Sequence, residues 1–203
     1  MEIILIRQGL TEGSKKNQYI GSTDEPLCFD GKLQLMKAQR SGFYPETVRV
    51  YSSPMRRCIE TCQVIYPKIT PEIIEGFRDK SYGRYEGKAY PDLKDDEPYQ
   101  AWVRSCGKLP FPDGDSDEDV KKRTLSAFDE AASELRRSER IHQEGVGAAF
   151  VLHGGSIMTI LSERLTTGKE HPFRYSSGAG DYFRLNLTGE DLILLEKKRF
   201  PQL

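Results

Sequence analysis

Histidine is scarce in this sequence: His142, His153 and His171 are the only three in 203 residues. None sits near the four cysteines, Cys28, Cys58, Cys62 and Cys106. Cys58 and Cys62 stand one helical turn apart, but without neighbouring histidines they predict no metal site, and no cofactor is expected. Charge of one sign is also missing. Thirty Lys and Arg face 31 Asp and Glu, a net charge of -1, which excludes nucleic-acid binding by bulk charge. No apolar run approaches the ~20 residues of a membrane span. The N-terminal MEIILIRQ is too short and lacks the basic leader of a signal peptide. With the cysteines read as small apolar residues of a reducing compartment, the expectation is a cytoplasmic protein with no membrane partner. No repeat and no low-complexity linker interrupts the chain. No G-x-G-x-x-G follows the first apolar run and no Walker-type loop appears, which disfavours a nucleotide-binding α/β protein.

What is present is an alternation of short apolar runs and helical patterns. At this length a chain buries roughly 70% of its unfolded surface and needs no staple, so residues 1–203 are read as one domain. Glu2 to Arg7, Val48 to Tyr51 and Ala148 to Leu152 are expected as buried strands. Each runs into a polar or glycine-containing turn and then a helix. Asp30 is expected to cap a helix to about Arg40 with Leu33, Met36 and Arg40 on one face. Ser53-Pro54 reads as cap and first helical position, followed by a stripe of Ile59, Cys62 and Ile65. Ser116 with Asp119 resembles a capping box ahead of Val120, Ala127, Ala131 and Leu135. Ser156 opens a helix that buries Ile157, Ile160, Leu161 and Leu165. Tyr182 to Leu187 and Leu192 to Lys197 read as a hairpin. The fold class is therefore α/β: three layers, a mostly parallel central sheet with helices on both faces. Residues 89–116, with prolines, aromatics and no strand, read as a lid-like insertion over the sheet edge.

In such folds ligands bind at the carboxyl ends of the parallel strands. Three segments deliver polar groups there: Arg7-Gln8-Gly9, Ser52-Ser53-Pro54-Met55-Arg56-Arg57 and His153-Gly154-Gly155. Alone, each is a solvated charge, a helix start or a turn. Together they bring two arginines, a histidine and two helix N-termini to one place, a combination suited to phosphate.

These segments carry a resemblance. Leu5-Ile6-Arg7-Gln8-Gly9-Leu10-Thr11 resembles the Arg-His-Gly motif of the histidine phosphatase superfamily, the phosphoglycerate-mutase-like proteins. Ser52 to Arg57 is similar to its second motif, whose arginine falls on Arg57. Phe77-Arg78-Asp79-Lys80-Ser81-Tyr82-Gly83-Arg84-Tyr85-Glu86-Gly87 looks like its acid-bearing loop. Pro112 to Ser116 and Val151 to Gly155 complete the series in family order. Within the superfamily, Tyr19 to Leu27 and the Tyr99 to Trp102 neighbourhood look most like α-ribazole phosphatases. The resemblance implies hydrolysis of a small phosphorylated metabolite by in-line attack of an imidazole on phosphorus. It implies α-ribazole 5′-phosphate, a step in cobalamin assembly, as substrate. It places phosphate contacts on Arg7, Arg57, Ser14 and Gly154, with His153 as the second histidine and Asp79 as proton donor.

The departures are specific. Gln8 stands where the family has its nucleophile, and an amide nitrogen whose lone pair is delocalised is a poor nucleophile. The donor position is Asp79 where the family usually has Glu, and Glu86 is a second candidate for the acid. Ser14 and Gln18 stand where the family has Asn and commonly Arg. Tyr90, Tyr99 and Trp102 are expected either to cover substrate or to pack the insertion. Three readings follow: a phosphomonoesterase impaired by Gln8 or left as a substrate trap, a non-catalytic phosphate binder, and, least favoured, a phosphoglycerate mutase. The sequence predicts no oligomeric state.

Overall fold

A computed structural model of the chain describes residues 1–105, 109–138, 146–167 and 171–201. Cys106 and His142 lie outside the described residues. One six-stranded sheet has the order β3-β2-β4-β1-β5-β6, made of β1 (Glu2–Arg7), β2 (Val50–Ser52), β3 (Glu72–Ile73), β4 (Val146–Leu152), β5 (Tyr182–Thr188) and β6 (Asp191–Lys198). The strands β3, β2, β4 and β1 run parallel, and the β5–β6 hairpin adds antiparallel to β1. The mostly parallel sheet matches the expectation, with β2 displaced by two residues at its start.

Alternation along β1 builds two cores. Ile3 and Leu5 join Phe128, Phe150 and Ile157 on one face, against α6 (Asp117–Arg137) and α7 (Gly154–Arg164). Ile4 and Ile6 join Leu35, Cys58 and Cys62 on the other, against α2 (Phe29–Arg40) and α3 (Arg56–Ile65). All four β1 side chains from Ile3 to Ile6 are fully buried, each contributing roughly 1.5–3 kcal/mol. Three layers result. Among the described residues no helix is long and apolar enough to cross a membrane.

Three helix readings need correction. The cap of α2 is Cys28, whose sulfur accepts from Gly31 N, and Asp30 falls within the first turn. Its buried face is Gly31, Leu35 and Ala38, while Leu33 and Met36 point outward. Both stripes recur at helical spacing, and close approach selects between them: a Cβ on Gly31 would lie 2.3 Å from Leu10 O. Helix α3 begins at Arg56 after Met55, not after Ser53. Its missing cap comes from another loop, where Asp24 Oδ1 accepts from Arg56 N at 2.7 Å. Helix α6 does start at Ser116, which accepts from Asp119 N at 3.0 Å.

The short helices α1 (Glu12–Lys15), α4 (Tyr90–Leu93) and α5 (Glu97–Arg104) lie in the connections. Residues from α4 and α5 form a third, small core of Tyr85, Leu93, Tyr99 and Phe111, against which Tyr19, Tyr82 and Trp102 pack.

Candidate active site

Strands β1 and β2 flank β4, and their ends are level: Arg7 pairs with Leu152 and Ser52 with Val151. The next residues of the three strands, Gln8, Ser53 and His153, therefore emerge side by side at the carboxyl edge of the sheet. A cavity of about 300 Å³ opens there, lined by Arg7, Gln8, Ser14, Arg57, Asp79 and Gly154 among others. Six of the residues singled out from the sequence thus share one wall system. Gln18 lines it too.

Among the described residues Arg57 is the largest side chain that is fully buried. Its Nη1 donates to Thr23 O at 2.9 Å, and its Nη2 donates to Gly21 O at 2.7 Å and to Asp79 Oδ2 at 3.0 Å. A buried guanidinium is tolerated because carbonyls and a carboxylate replace its water. Arg7 donates through Nη1 to Ser177 O. Burial pulls the Arg7 guanidinium below its ordinary value, opposed by Asp79 and Asp181, and so far from neutrality that it stays a cation. Both Nε donors, of Arg7 and of Arg57, are buried without a partner, as is Oε1 of Gln8. Unpaired buried donors cost free energy until an acceptor arrives, and two of them belong to cations in the same cavity. Helix α7 has no side-chain cap at its start, and Gly154 and Gly155, its first residues, line the cavity. The free N–H groups and partial positive charge of that end favour an anion.

His153 is placed differently from the expectation. It is 1% exposed and sits behind the cavity wall. Nδ1 lies 3.2 Å from Asp79 Oδ2, and Nε2 lies 2.7 Å from Ser53 Oγ. Burial, reinforced by Arg57 and Arg7 against the pull of Asp79, lowers its pKa to about 4. The ring is neutral at neutral pH. Nε2 faces the Ser53 hydroxyl, which can donate to it, and Nδ1 lies against the Asp79 carboxylate. His153 packs against Asp79 and is not among the residues that line the cavity. Cys58, 3.6 Å from Nε2, is an inert neighbour, since burial pushes its thiol well up.

Asp79 is the hinge of this arrangement. Oδ2 takes both Arg57 and His153, and Oδ1 takes Lys80 N at 2.9 Å. It reaches the cavity from motif register as expected. Glu86 does not. It accepts the backbone N–H groups of Gly21, Ser22, Thr23 and Tyr82. Burial works to raise its pKa, but these bonds and the Thr23 hydroxyl overcome it and hold the carboxyl below its ordinary value. Glu86 is not among the residues that line the cavity, and its carboxylate is committed to the 21–23 loop.

Tyr90 is 59% exposed on α4, and Trp102 stacks on Phe111 with ring centroids 4.5 Å apart. Neither lines the cavity. Tyr99 reaches it indirectly, its hydroxyl 2.8 Å from that of Tyr19, which does line it. The sequence reading missed Tyr19, Tyr82, Met158 and Phe173, which form the apolar side of the cavity. Their sequence signals are that Tyr19 opens a segment carrying the subfamily resemblance and that Tyr82 follows Asp79 in the same loop.

Comparison with known proteins gives the family and the fold. The sequence matches the histidine phosphatase superfamily (branch 1) over residues 3–197. The chain belongs to that superfamily. It is 24% identical over 197 residues to a phosphoserine phosphatase 2 homologue of Hydrogenobacter thermophilus, covering 95% of this chain and 93% of the relative. The α-ribazole phosphatase of Shigella flexneri superposes with a TM-score of 0.81 at 18% identity, over 98% of this chain and 96% of that one. A histidine-to-alanine variant of the phosphoserine phosphatase of Entamoeba histolytica, in complex with phosphoserine, superposes at 0.73 with 23% identity, over 97% and 96% of the two chains. These superpositions establish the phosphoglycerate-mutase-like fold.

Proposed function

We propose that the cavity binds the phosphate of a small phosphorylated metabolite, and that the chain is a phosphomonoesterase scaffold held back by Gln8. The observation that carries this is the meeting of two arginines with unpartnered buried Nε donors, Arg7 and Arg57, with Gln8 and the uncapped start of α7 in the walls of one cavity. Arginine Nε and the α7 N–H groups would take the equatorial phosphate oxygens. By motif register, Gln8 would stand where the family's imidazole attacks phosphorus. Its amide can hydrogen-bond an oxygen but offers no free electron pair on nitrogen.

With histidine at position 8, a nitrogen–phosphorus bond would form as the ester oxygen–phosphorus bond breaks. The departing oxygen would take a proton from Asp79, once that carboxylate has released a contact on Oδ2 and gained a proton from solvent. Water would then hydrolyse the phosphohistidine. The metabolite favoured is α-ribazole 5′-phosphate, on the resemblance carried by Tyr19 to Leu27 and Tyr99 to Trp102. Gln8 also favours a second reading, a binder that retains phosphate ligands without turnover.

Titration of inorganic phosphate and of α-ribazole 5′-phosphate, followed by calorimetry, tests the site. Saturable binding by the unmodified chain is expected, with Arg57→Ala weakening it by roughly 10- to 100-fold, the value of one charged hydrogen bond of about 1.5–3 kcal/mol. Equal affinities in the two proteins would refute the placement of phosphate.

A further inference from the structure

The carboxylate of Glu86 is unusually heavily used for a loop residue. Oε2 accepts from Gly21 N at 3.1 Å, Thr23 N at 3.2 Å and Thr23 Oγ1 at 2.6 Å. Oε1 accepts from Ser22 N and Tyr82 N, both at 2.9 Å, and from Ser22 Oγ at 3.2 Å. Three consecutive N–H groups of one loop are gathered on one side chain. That loop then turns its carbonyls the other way. Gly21 O and Thr23 O are the two backbone acceptors of the Arg57 guanidinium. Its next residue, Asp24, caps α3, the helix that carries Arg57, through Arg56 N. On the far side the loop presses against Lys80, where a Cβ on Gly21 would lie 1.8 Å from Lys80 O. Glu86 and Arg57 share no hydrogen bond, and the most heavily bonded route from one to the other runs through residues 21–24.

We infer that Glu86 is a positioning residue for phosphate recognition: it holds the 21–23 loop so that Gly21 O and Thr23 O aim the Arg57 guanidinium at the anion. This deepens the proposed function and rests on it. Both carboxylate oxygens are needed as acceptors. An amide at this position turns one of them into a donor facing N–H groups, and alanine removes both. Either change frees the loop, and Arg57 then has to be ordered by the ligand itself, which weakens binding.

The role predicts coupling, which a merely structural residue would not show. Inorganic phosphate is titrated into the unmodified chain, Glu86→Ala, Arg57→Ala and the double variant, each checked for native circular dichroism. Glu86→Ala should raise the phosphate Kd at least tenfold. In the Arg57→Ala background the same change should have almost no further effect, the signature of two residues acting through one group. Glu86→Gln, which keeps one acceptor and the side-chain volume, should fall between the unmodified chain and Glu86→Ala, and it carries the test should the alanine variant not fold. A Kd within twofold of the unmodified value in a folded Glu86 variant would overturn the positioning role, as would equal losses with and without Arg57. Absence of phosphate binding by the unmodified chain would instead overturn the site reading itself, and the positioning role with it.

Discussion

Nδ1 of His153 meets Oδ2 of Asp79 at 3.2 Å, and the ring that makes this contact is neutral. The same oxygen is held by Arg57 at 3.0 Å. The carboxylate is therefore held by a cation on one side and packed against an uncharged ring on the other. Protonating His153 would create a charge cut off from water and set it beside Arg57, which is why its pKa falls.

The first prediction follows from that shift. The folded pKa of His153 is about 4, below the roughly 6.5 of an unfolded histidine. Between these values the unfolded chain binds the extra proton, so stability rises with pH through the window and is lost as pH falls from 6.5 toward 4. The slope from this one group cannot exceed about 1.4 kcal/mol per pH unit. Urea unfolding of the unmodified chain and His153→Asn across that range should show the variant's shallower loss on acidification. Parallel curves, or an imidazole resonance of His153 titrating near 6.5, would contradict the buried neutral ring.

The second concerns backbone approach at Gly21. An added methyl would lie 1.8 Å from a carbonyl oxygen of the Lys80 backbone, which no rotamer change relieves. Gly21→Ala should therefore cost about 1–3 kcal/mol in unfolding free energy, the usual penalty for overpacking. It should also weaken phosphate binding, since Gly21 O is an Arg57 acceptor. An unfolding midpoint unchanged from the parent would show that the loop stands off from Lys80.

The third uses the single tryptophan. Trp102 is stacked between Phe111 and Tyr99 and touches the cavity only through the edge of Tyr19, 6.4 Å between ring centroids. Its emission should stay constant as inorganic phosphate saturates the site. A shift of the emission maximum on phosphate binding would mean that α5 moves with the ligand and that the 89–116 segment acts as a lid.

The parts of the fold legible in the sequence are those that local pattern determines. The β1 and β4 runs are buried on both faces, so they are continuous apolar stretches with no competing reading. Ser116 caps its own helix, so the start of α6 could be read locally. The misread starts have partners distant in the chain: Asp24 caps α3 across a loop, and the buried stripe of α2 is chosen by the approach of Leu10 to Gly31. The site divides in the same way. Arg7, Gln8, Arg57 and Asp79 follow from strand ends and motif register. The retreat of His153 behind Asp79, and the service of Glu86 to a loop some sixty residues away, depend on tertiary packing that no short spacing encodes.

The central claim is that a phosphate site is present and that the atom at position 8 limits turnover. Phosphomonoesterase rates of the unmodified chain and of Gln8→His, measured side by side on α-ribazole 5′-phosphate and a panel of phosphate monoesters, test it most directly. The account predicts near-background turnover for the unmodified chain and an increase of several powers of ten on restoring the imidazole, the scale on which a missing nucleophile acts. Equal, near-background rates from both proteins, each folded and each binding phosphate, would contradict it.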